Sequence, residues 1–260
     1  MSDIHGNRFA LEAVVADAAR HGVDRWWVLG DLVAIGPDPV RAVELIANLP
    51  NVQVVSGNTE RYVLTDDRPP PHPDAVVADP ELLSLYALIQ RSFAWTAGAL
   101  AAHGYVDWLR ELPGEVRTVL PDGTSVLGVH ASPMRDDGEG ITPDRDEDDL
   151  RQDLAGADAQ LVFAGHSHQP TDRVVDGVRA VNLGSVSNPI TDDLRASYVV
   201  LHADRDGHRV EHRRVSYDQA AFLLAVAQSG HPAGDFIASF QRGDQVRYAA
   251  RRPGAPEPTE

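Results

Sequence analysis

The chain has 260 residues, of which 43% are hydrophobic, and it carries no cysteine and a net charge of −16. A chain of this length can form one domain with a full hydrophobic core, and the lack of cysteine excludes disulfides and thiolate metal ligands. The acidic balance argues against a protein that binds nucleic acid or a membrane surface by bulk electrostatics, so no strong nucleic-acid binding is expected. All 23 basic residues are arginine, which excludes chemistry based on a lysine Schiff base or a P-loop lysine.

The longest apolar run, Ala220 to Ala227, is far shorter than the roughly 20 residues that a membrane span needs. A cleaved signal peptide is not expected, because processing at the amino end would remove Asp3 and His5, which are singled out below. Together with the lack of cysteine, these features predict a cytoplasmic protein without a membrane partner. A homo-oligomer is compatible with the sequence.

Helices and short apolar strands alternate over the first 58 residues. The pattern predicts a helix over 7–21, a strand over 26–29, a helix over 39–49 and a strand over 52–55. This alternation is typical of an α/β fold with a mainly parallel sheet and helices on its faces. Sites in such folds lie beyond the carboxyl ends of the strands.

The alternation breaks at residues 66–75, where four prolines argue against a helix or a central strand. Helices are predicted over 80–90, 92–102 and 106–112, and we interpret residues 66–112, approximately, as a small helical cap over the site. The elements predicted after the cap are strands over 116–120, 125–129, 160–164, 197–202 and 210–215, a hairpin over 174–181, and helices near 148–154, over 219–228 and over 234–240. The expected organisation is a main domain over 1–230 that contains the cap, and a segment over 231–260 that comprises a C-terminal helix and a disordered tail from Arg251.

Short polar motifs punctuate the chain, and nearly all of them follow an apolar stretch typical of a strand. They are Asp3-Ile4-His5, Gly30-Asp31, Gly57-Asn58, His130 and Gly165-His166-Ser167-His168. They supply two carboxylates, one carboxamide and four imidazoles, the ligand inventory of a hydrolytic site with two metal ions. The Asp-x-His and His-x-His spacings place both side chains of each pair on one face of an extended chain. Oxygen and imidazole ligands without thiolate suit two divalent ions of Mn, Ni, Co, Fe or Zn. The positive charge of such ions would make a phosphate substrate compatible with the acidic surface of the protein.

With these motifs assembled, the chain resembles a calcineurin-like metallophosphoesterase of the compact bacterial branch with a small helical cap. The resemblance covers residues 1 to about 215 and includes the segments 129–133 and 182–185. It implies a four-layer αββα sandwich, in which two mixed sheets lie face to face between helices. It also implies that one metal ion is held by Asp3, His5, Asp31 and His168, and the other by Asp31, Asn58, His130 and His166, with Asp31 bridging.

The reaction that the resemblance implies is hydrolysis of a small phosphate ester by a hydroxide that bridges the two ions. The residues assigned to catalysis are Asp31, Asn58, Thr59 and His130. Asn7, Asn182 and Ser185 are either groups that orient the ligands or residues that merely form loops.

Thr59 departs from the family pattern, because many members have a histidine at this position that contacts the substrate phosphate. A hydroxyl can donate a hydrogen bond but cannot act as an acid near neutral pH. We therefore expect phosphodiesters, or esters with good leaving groups, to be better substrates than alkyl monoesters, and His72 or His103 of the cap could replace the acid. The alternatives are a phosphatase acting on nucleotides, dinucleoside polyphosphates or phosphoproteins, and a non-catalytic binding module on the same fold.

The amino end is the second place where the chain departs from the family pattern. The family normally has a buried strand of about five apolar residues before the Asp-x-His motif, and here Met1 and Ser2 precede it. The first strand is thus expected to be largely missing, either through a start codon assigned too late or because the sheet lacks most of a central strand. In the second case Asp3 and His5 would lie on a frayed terminus and bind metal weakly, and an upstream apolar strand would raise both the melting temperature and the metal occupancy.

Overall fold

The protein is described by a computed structural model that covers residues 1–244, and the predicted tail from Arg251 lies outside the described residues. The helices are α1 (Arg8–Arg20), α2 (Pro39–Ala47), α3 (Asn58–Leu64), α4 (Pro73–Ala78), α5 (Leu83–Ala102), α6 (Val106–Arg110), α7 (Glu147–Asp153), α8 (Gln219–Ser229) and α9 (Gly234–Phe240), with a 3₁₀ turn at Pro80–Leu82. The strands are β1 (Trp26–Leu29), β2 (Val52–Val55), β3 (Glu115–Val119), β4 (Ser125–Val129), β5 (Leu161–Ala164), β6 (Thr171–Val175), β7 (Val178–Asn182), β8 (Ala196–Ala203) and β9 (His208–Val215). Within the described residues, no helix combines the length and the apolar character that crossing a bilayer requires.

The structure differs most from the sequence-based expectation in the predicted cap, residues 66–112. Its first two predicted helices are one 20-residue helix, α5, since neither proline nor glycine interrupts residues 83–97. Helix α4 begins at Pro73, within the stretch expected to be non-helical, because proline is well tolerated at the first helical position. Helix α5 packs against α2 and α3, with Phe93 edge-on to Tyr62. The placement of this insert over the site stays a prediction.

A mixed sheet of five strands has the order β3-β4-β5-β7-β6, in which β4, β5 and β7 run parallel. The outer strands β3 and β6 pair antiparallel with their neighbours. Separately, β1 pairs in parallel with β2, and β8 pairs antiparallel with β9. The predicted ligand motifs after β1, β2, β4 and β5 thus follow the carboxyl ends of strands, as expected for this class of fold.

Three of the hydrophobic cores in the described residues join the helices and strands that surround the site. One core joins α1, α2 and α5 to β1 and β8 and includes Leu11 and Tyr198. A second core lies between the five-stranded sheet and the strands β1, β2, β8 and β9, and includes Leu29 and Phe163. The third packs α7 on the five-stranded sheet through Leu150. These cores pack helices and strands together in a mixed α/β fold, in agreement with the predicted fold class.

The first three residues lie buried between β1 and residues 185–187. The Leu29 N–H donates to the Met1 carbonyl at 2.9 Å, and the Val186 N–H donates to the Ser2 carbonyl at 3.1 Å. Ser2 and Asp3 are fully buried. No strand is assigned before β1 in the described residues, as expected, but the prediction of a frayed terminus is wrong, because backbone bonds on both edges hold these residues in place.

Asp17 ties α1 to the β8–β9 hairpin. Its carboxylate accepts hydrogen bonds from the Tyr198 hydroxyl at 2.7 Å, from Arg213 at 2.9 Å and from Arg20 at 2.6 Å. The hydrogen bond from Arg213, which outweighs the opposing effect of burial, lowers the pKa of Asp17 to about 2. Because α1 begins directly after the Asp-x-His motif, this contact also anchors the helix beside the site.

We expect Asp17→Asn to lower the free energy of unfolding by about 1–3 kcal/mol near neutral pH, because the buried Tyr198 hydroxyl and the partly buried Arg213 guanidinium lose a charged acceptor. The folded-state pKa of Asp17 lies below its unfolded value, so this stabilisation is complete above about pH 4 and is lost as the pH falls toward 2. Urea denaturation between about pH 3 and pH 7 should therefore show the gap between wild type and variant narrowing at low pH. Arg20→Ala is the control, since the Arg20 side chain is 67% exposed and little change is expected. A gap that does not depend on pH would contradict this assignment.

Candidate metal centre

The structure brings all the predicted metal ligands to one place beyond the strand ends. They form two groups whose ligand atoms lie within 4.8 Å of one another: Asp3, His5, Asp31 and His168, and Asp31, His130 and His166. Asn58 joins the second group, because its Oδ1 lies 2.9 Å from His130 Nε2 and 3.0 Å from His166 Nδ1. The ligand inventory predicted from the sequence is therefore assembled in space.

Asp31 lies between the two groups. Its Oδ1 is 3.3 Å from His130 Nε2, and its Oδ2 is 3.8 Å from His5 Nε2. Each carboxylate oxygen thus faces a different set of imidazoles. Asp31 is therefore the residue that the two groups share.

Backbone carbonyls determine which nitrogen of each imidazole faces the centre. A carbonyl oxygen can only accept, so an imidazole nitrogen bonded to it must carry the proton. The Nδ1–H groups of His5, His130 and His168 donate to the carbonyls of Ala34 at 3.1 Å, Leu29 at 2.8 Å and Asn188 at 3.0 Å, respectively. His166 is reversed: its Nε2–H donates to the Gly138 carbonyl at 2.8 Å, and its Nδ1 faces Asn58.

His5 and His168 show that the centre suits a cation. Their Nε2 atoms are 3.2 Å apart, although both rings already carry their proton on Nδ1. The two Nε2 atoms therefore face each other. Asp3 Oδ1 lies 3.2 Å from His168 Nε2, and although burial lowers the pKa of His168, the Asp3 carboxylate raises it. Nitrogen and carboxylate oxygen atoms that converge in this way are stabilised by a positive charge between them, which a proton or a metal ion can supply.

Burial and mutual charge set the protonation of these groups. Burial raises the pKa of Asp31, but the neighbouring His130 imidazole outweighs it and holds the pKa far below the ordinary carboxyl range. For His130, burial lowers the pKa, and the Asp31 charge opposes it so strongly that the pKa rises to about 10. Burial lowers the pKa of His5 to about 4 and also lowers that of His166. Asp31 is thus a carboxylate, and His5 and His166 are neutral ligands, near neutral pH.

The backbone at most of the predicted ligands adopts a left-handed conformation. The φ angles are +56° at Asp3, +48° at His5, +55° at Asp31, +68° at His166 and +58° at His168. Non-glycine residues seldom adopt positive φ, and each instance costs on the order of 1 kcal/mol. The turn that follows each strand end aims the side chain at the shared centre, and this strain marks the region as a functional site.

Two glycines are required by close approach within the centre. A Cβ atom at Gly57 would lie 2.3 Å from Asp31 Oδ1, and one at Gly30, where φ is +82°, would lie 2.5 Å from His130 Nδ1. The glycine that precedes Asp31 and the glycine that precedes Asn58 therefore leave space for a neighbouring ligand.

Glu60 is a buried residue of the site that the sequence analysis missed. Its carboxylate accepts three backbone N–H groups, from Gly57 at 2.9 Å, Asp31 at 2.8 Å and Leu32 at 2.8 Å. Burial, followed by the Asp31 charge, raises the pKa of Glu60 to about 7. The sequence does contain a pattern that points to Glu60. This residue lies three positions after Gly57, which is the spacing of a capping box at the start of α3. Glu60 thus joins the loop after β1 to the loop after β2.

Asn182 and Ser185 hold the backbone beside the ligands. Asn182 Nδ2 donates to the Gly165 carbonyl at 2.5 Å, and Ser185 Oγ donates to the Asp3 carbonyl at 3.0 Å. Asn7 instead caps α1, where its Oδ1 accepts the Ala10 N–H at 3.1 Å. These contacts support an orienting role for Asn182 and Ser185, and a local structural role for Asn7.

Arg61 anchors the acidic loop over residues 134–140. Its guanidinium donates to Asp136 at 2.7 Å and to Asp137 at 3.0 Å, and it also pairs with Asp67. The same loop supplies the Gly138 carbonyl that accepts the His166 Nε2–H. Arg61 therefore helps to hold one imidazole of the centre through this loop.

Thr59 lies beside Asp31. Its hydroxyl donates to Asp31 Oδ1 at 2.9 Å, and its backbone N–H donates to the same oxygen at 3.0 Å. A hydroxyl has one proton to donate, and here the proton is directed at the carboxylate. Thr59 thus contacts the ligand that the two groups share.

Comparison with known proteins identifies the family. Residues 1–206 match the sequence model of the calcineurin-like phosphoesterase superfamily domain. The chain belongs to this superfamily. The family consists of metal-dependent phosphoesterases, and the buried Asp and His groups of this chain could hold the metal.

Relatives of this metallophosphoesterase cover nearly its full length. An uncharacterized protein from Methanocaldococcus jannaschii is 28% identical over 234 residues, which is 84% of this chain and 86% of that protein. The crystal structure of a metallophosphoesterase from Sphaerobacter thermophilus is 28% identical, with a TM-score of 0.71 over 94% of this chain and 98% of the other. A hypothetical protein from Pyrococcus horikoshii OT3, 21% identical, shows the same fold with a TM-score of 0.75 over 92% of this chain and 94% of the other.

We expect Glu60→Gln to weaken divalent-metal binding by roughly 10–100-fold, because an amide can accept the Asp31 and Leu32 N–H groups only with its single oxygen. Calorimetric titration with Mn²⁺ measures this change, and far-UV circular dichroism verifies that the variant is folded. Glu44→Gln is the control, since Glu44 pairs with Arg41 on an exposed face of α2. Unchanged Mn²⁺ affinity in folded Glu60→Gln would show that Glu60 does not position Asp31.

Proposed function

We propose that this protein hydrolyses phosphodiesters with two divalent cations, each of Mn, Ni, Co, Fe or Zn. In this proposal one cation is held by Asp3, His5, Asp31 and His168, and the other by Asp31, Asn58, His130 and His166. When bound, the pair would supply a hydroxide nucleophile near neutral pH and would stabilise charge on the phosphoryl oxygens. The observation that carries the proposal is the shared Asp31 carboxylate, which faces two sets of inward-facing imidazole nitrogens.

The residues of the chain prepare the centre before any substrate arrives. Asp31 remains ionised because its pKa is held low, and the carbonyls that accept the Nδ1–H groups of three imidazoles turn the Nε2 atoms of those rings toward the centre. Asn58 Oδ1 adds a neutral oxygen within reach of two imidazoles. Buried ligands held in one orientation need little reorganisation during the reaction, and such preorganisation is a main source of electrostatic catalysis.

The preference for diesters rests on Thr59 and on charge. The Thr59 proton is directed at Asp31, so this position offers no acid to protonate a poor leaving group. A diester carries one negative charge, whereas a monoester carries about 1.5 to 2 near pH 7. A chain with a net charge of −16 therefore repels a monoester more strongly.

Two alternatives to a phosphodiesterase are a phosphatase and a non-catalytic binding module, and activity measurements distinguish them. A phosphatase acting on nucleotides, dinucleoside polyphosphates or phosphoproteins would use the same centre. A non-catalytic module is disfavoured because every predicted ligand position is filled and buried or nearly so. His103 lies exposed at the end of α5, where its Nδ1–H donates to the Ala99 carbonyl at 2.8 Å, and its use as an acid stays a prediction, as does that of His72.

Reconstitution with Mn²⁺, Ni²⁺ or Zn²⁺ should give about two ions per chain and hydrolysis of bis(p-nitrophenyl) phosphate faster than of p-nitrophenyl phosphate. Asp31→Asn should lower kcat/KM by about three orders of magnitude or more, because both ion sites lose a charged ligand. Metal analysis and steady-state kinetics measure these outcomes, with Asp107→Asn as the control because the Asp107 side chain is 86% exposed. Turnover of monoesters alone would contradict the diester preference, and two bound ions without turnover of any phosphate ester would favour the binding module.

Thr59→Val should lower kcat/KM for diester and monoester by the same factor, roughly tenfold, because Asp31 loses a hydrogen bond and the substrate loses none. Thr59→Ser keeps the hydroxyl and should restore most of the activity. The measurement is the ratio of diester to monoester kcat/KM in the three proteins. A ratio that changes in Thr59→Val would show that the hydroxyl contacts the substrate instead.

A further inference from the structure

The acidic loop is held from two sides where it passes the metal centre. The Arg61 Nε–H donates to Asp136 at 2.7 Å, and an Nη2–H of the same guanidinium donates to Asp137 at 3.0 Å. On the other side, the Gly138 carbonyl accepts the Nε2–H of His166 at 2.8 Å. Among the described residues, no other hydrogen bond joins these three loop residues to a segment distant in the sequence. Arg61 is therefore the anchor of the carbonyl that orients His166.

The next part of the chain is fixed without this anchor. Ile141 is fully buried, and its carbonyl accepts the Ser167 hydroxyl at 2.9 Å and an Nδ2–H of Asn182 at 3.1 Å. These contacts do not involve the guanidinium. Loss of the Arg61 side chain thus frees the stretch around Gly138 and leaves the segment that follows it in place.

The guanidinium suits this task because it contacts three carboxylates at once. Its Nε and Nη2 atoms share Asp136, Nη2 also reaches Asp137, and Nη1 pairs with Asp67. Arginine presents its donors in a rigid planar fork, whereas other polar side chains of similar length lack this geometry. A single side chain of α3 therefore fixes both the position and the direction of the loop.

Arg61 also links two ligands of the same predicted ion site. Asn58 is the first residue of α3, and Arg61 follows three positions later on this helix. The loop that Arg61 holds orients His166, and His166 Nδ1 in turn lies 3.0 Å from Asn58 Oδ1. Helix, guanidinium, loop and imidazole thus form a closed ring of contacts around one half of the centre. The imidazoles of the other half, His5 and His168, are oriented by carbonyls outside this ring.

The Gly138 carbonyl determines which nitrogen of His166 carries the proton. Both ring nitrogens face an oxygen acceptor, which is the Gly138 carbonyl for Nε2 and Asn58 Oδ1 for Nδ1. A neutral imidazole has one proton and donates to only one of them. While the proton is on Nε2, the Nδ1 lone pair is available to a cation. Without the Gly138 carbonyl, the proton moves to Nδ1 of the same ring, where Asn58 Oδ1 accepts it, and Nδ1 cannot bind a cation.

We propose that Arg61 is a positioning residue for the ion site that contains Asn58 and His166, and that it acts through the acidic loop on the tautomer of His166. This inference rests on the proposed centre with two ions. Arg61 contacts neither the ion nor the substrate. It holds the Gly138 carbonyl in place, and the carbonyl holds the His166 proton on Nε2. The other ion site is oriented by different carbonyls and keeps its affinity when Arg61 is replaced.

The first test compares the tautomer of His166 in the metal-free wild type and in metal-free Arg61→Gln, by ¹⁵N NMR of the histidine side chains near neutral pH. His166→Gln assigns the signals. We expect a protonated Nε2 in wild type and a shift of the proton toward Nδ1 in Arg61→Gln. Arg179→Gln is the matched control, since Arg179 also pairs with a carboxylate, that of Asp172, and is 32% exposed against 30% for Arg61. It should keep the wild-type tautomer.

The second test is calorimetric titration with Mn²⁺. In Arg61→Gln one ion should bind as in wild type and the other roughly 10–100-fold more weakly, because a ligand has lost the group that orients it. A variant that carries both Asp136→Ala and Asp137→Ala removes the same contacts from the side of the loop. It should reproduce both changes, and it provides the test if Arg61→Gln fails to fold. Far-UV circular dichroism verifies the fold of each variant.

An unchanged His166 tautomer in folded Arg61→Gln would overturn the proposal, as would an equal loss of affinity at both ion sites. The same shift of the tautomer in Arg179→Gln would also overturn it, because the effect would then not come from the loop. Wild type that binds no Mn²⁺ would contradict the proposed function instead. The tautomer comparison needs neither an ion nor a substrate, so the two failures are distinguishable.

Discussion

The burial of Asp31 between two sets of imidazole nitrogens is the interaction on which the rest of this structure depends. Its carboxylate remains ionised in an apolar environment, and its two oxygens face His130 and His5. Such a charge is tolerable in the interior only where positive charge and hydrogen bonds compensate it. The facing Nε2 atoms of His5 and His168 impose the same requirement from the other side. Divalent cations satisfy both needs, and membership of a metal-dependent family is consistent with this conclusion.

Backbone groups perform most of the orientation in this centre. Carbonyls hold the Nδ1–H groups of three imidazoles, and Glu60 collects three N–H groups from the loops after β1 and β2. Left-handed residues turn the ligands off the strand ends, and the strain they carry is offset by the surrounding packing. A substitution that disturbs these loops would thus affect the centre without removing a ligand.

The amino end connects the sheet to the metal centre. Residues 1–3 supply the neighbour of β1, and Asp3 is both the last residue of this short segment and a member of the first ligand group. The short segment that pairs with the edge of β1 thus also positions a carboxylate of the centre.

Local patterns in the sequence determined the strands, most helices and the ligand set, because apolar periodicity and Gly-polar motifs at strand ends depend on neighbouring residues alone. The bounds of β1, β2, β4 and α9 are those predicted, and all the predicted ligands converge. The single helix α5, the role of Glu60 and the pairing of Thr59 with Asp31 were decided by the tertiary structure, since each depends on contacts between distant segments. The same is true of the buried amino end: its sequence suggests fraying, and only the strand edges on either side of it hold residues 1–3 in place.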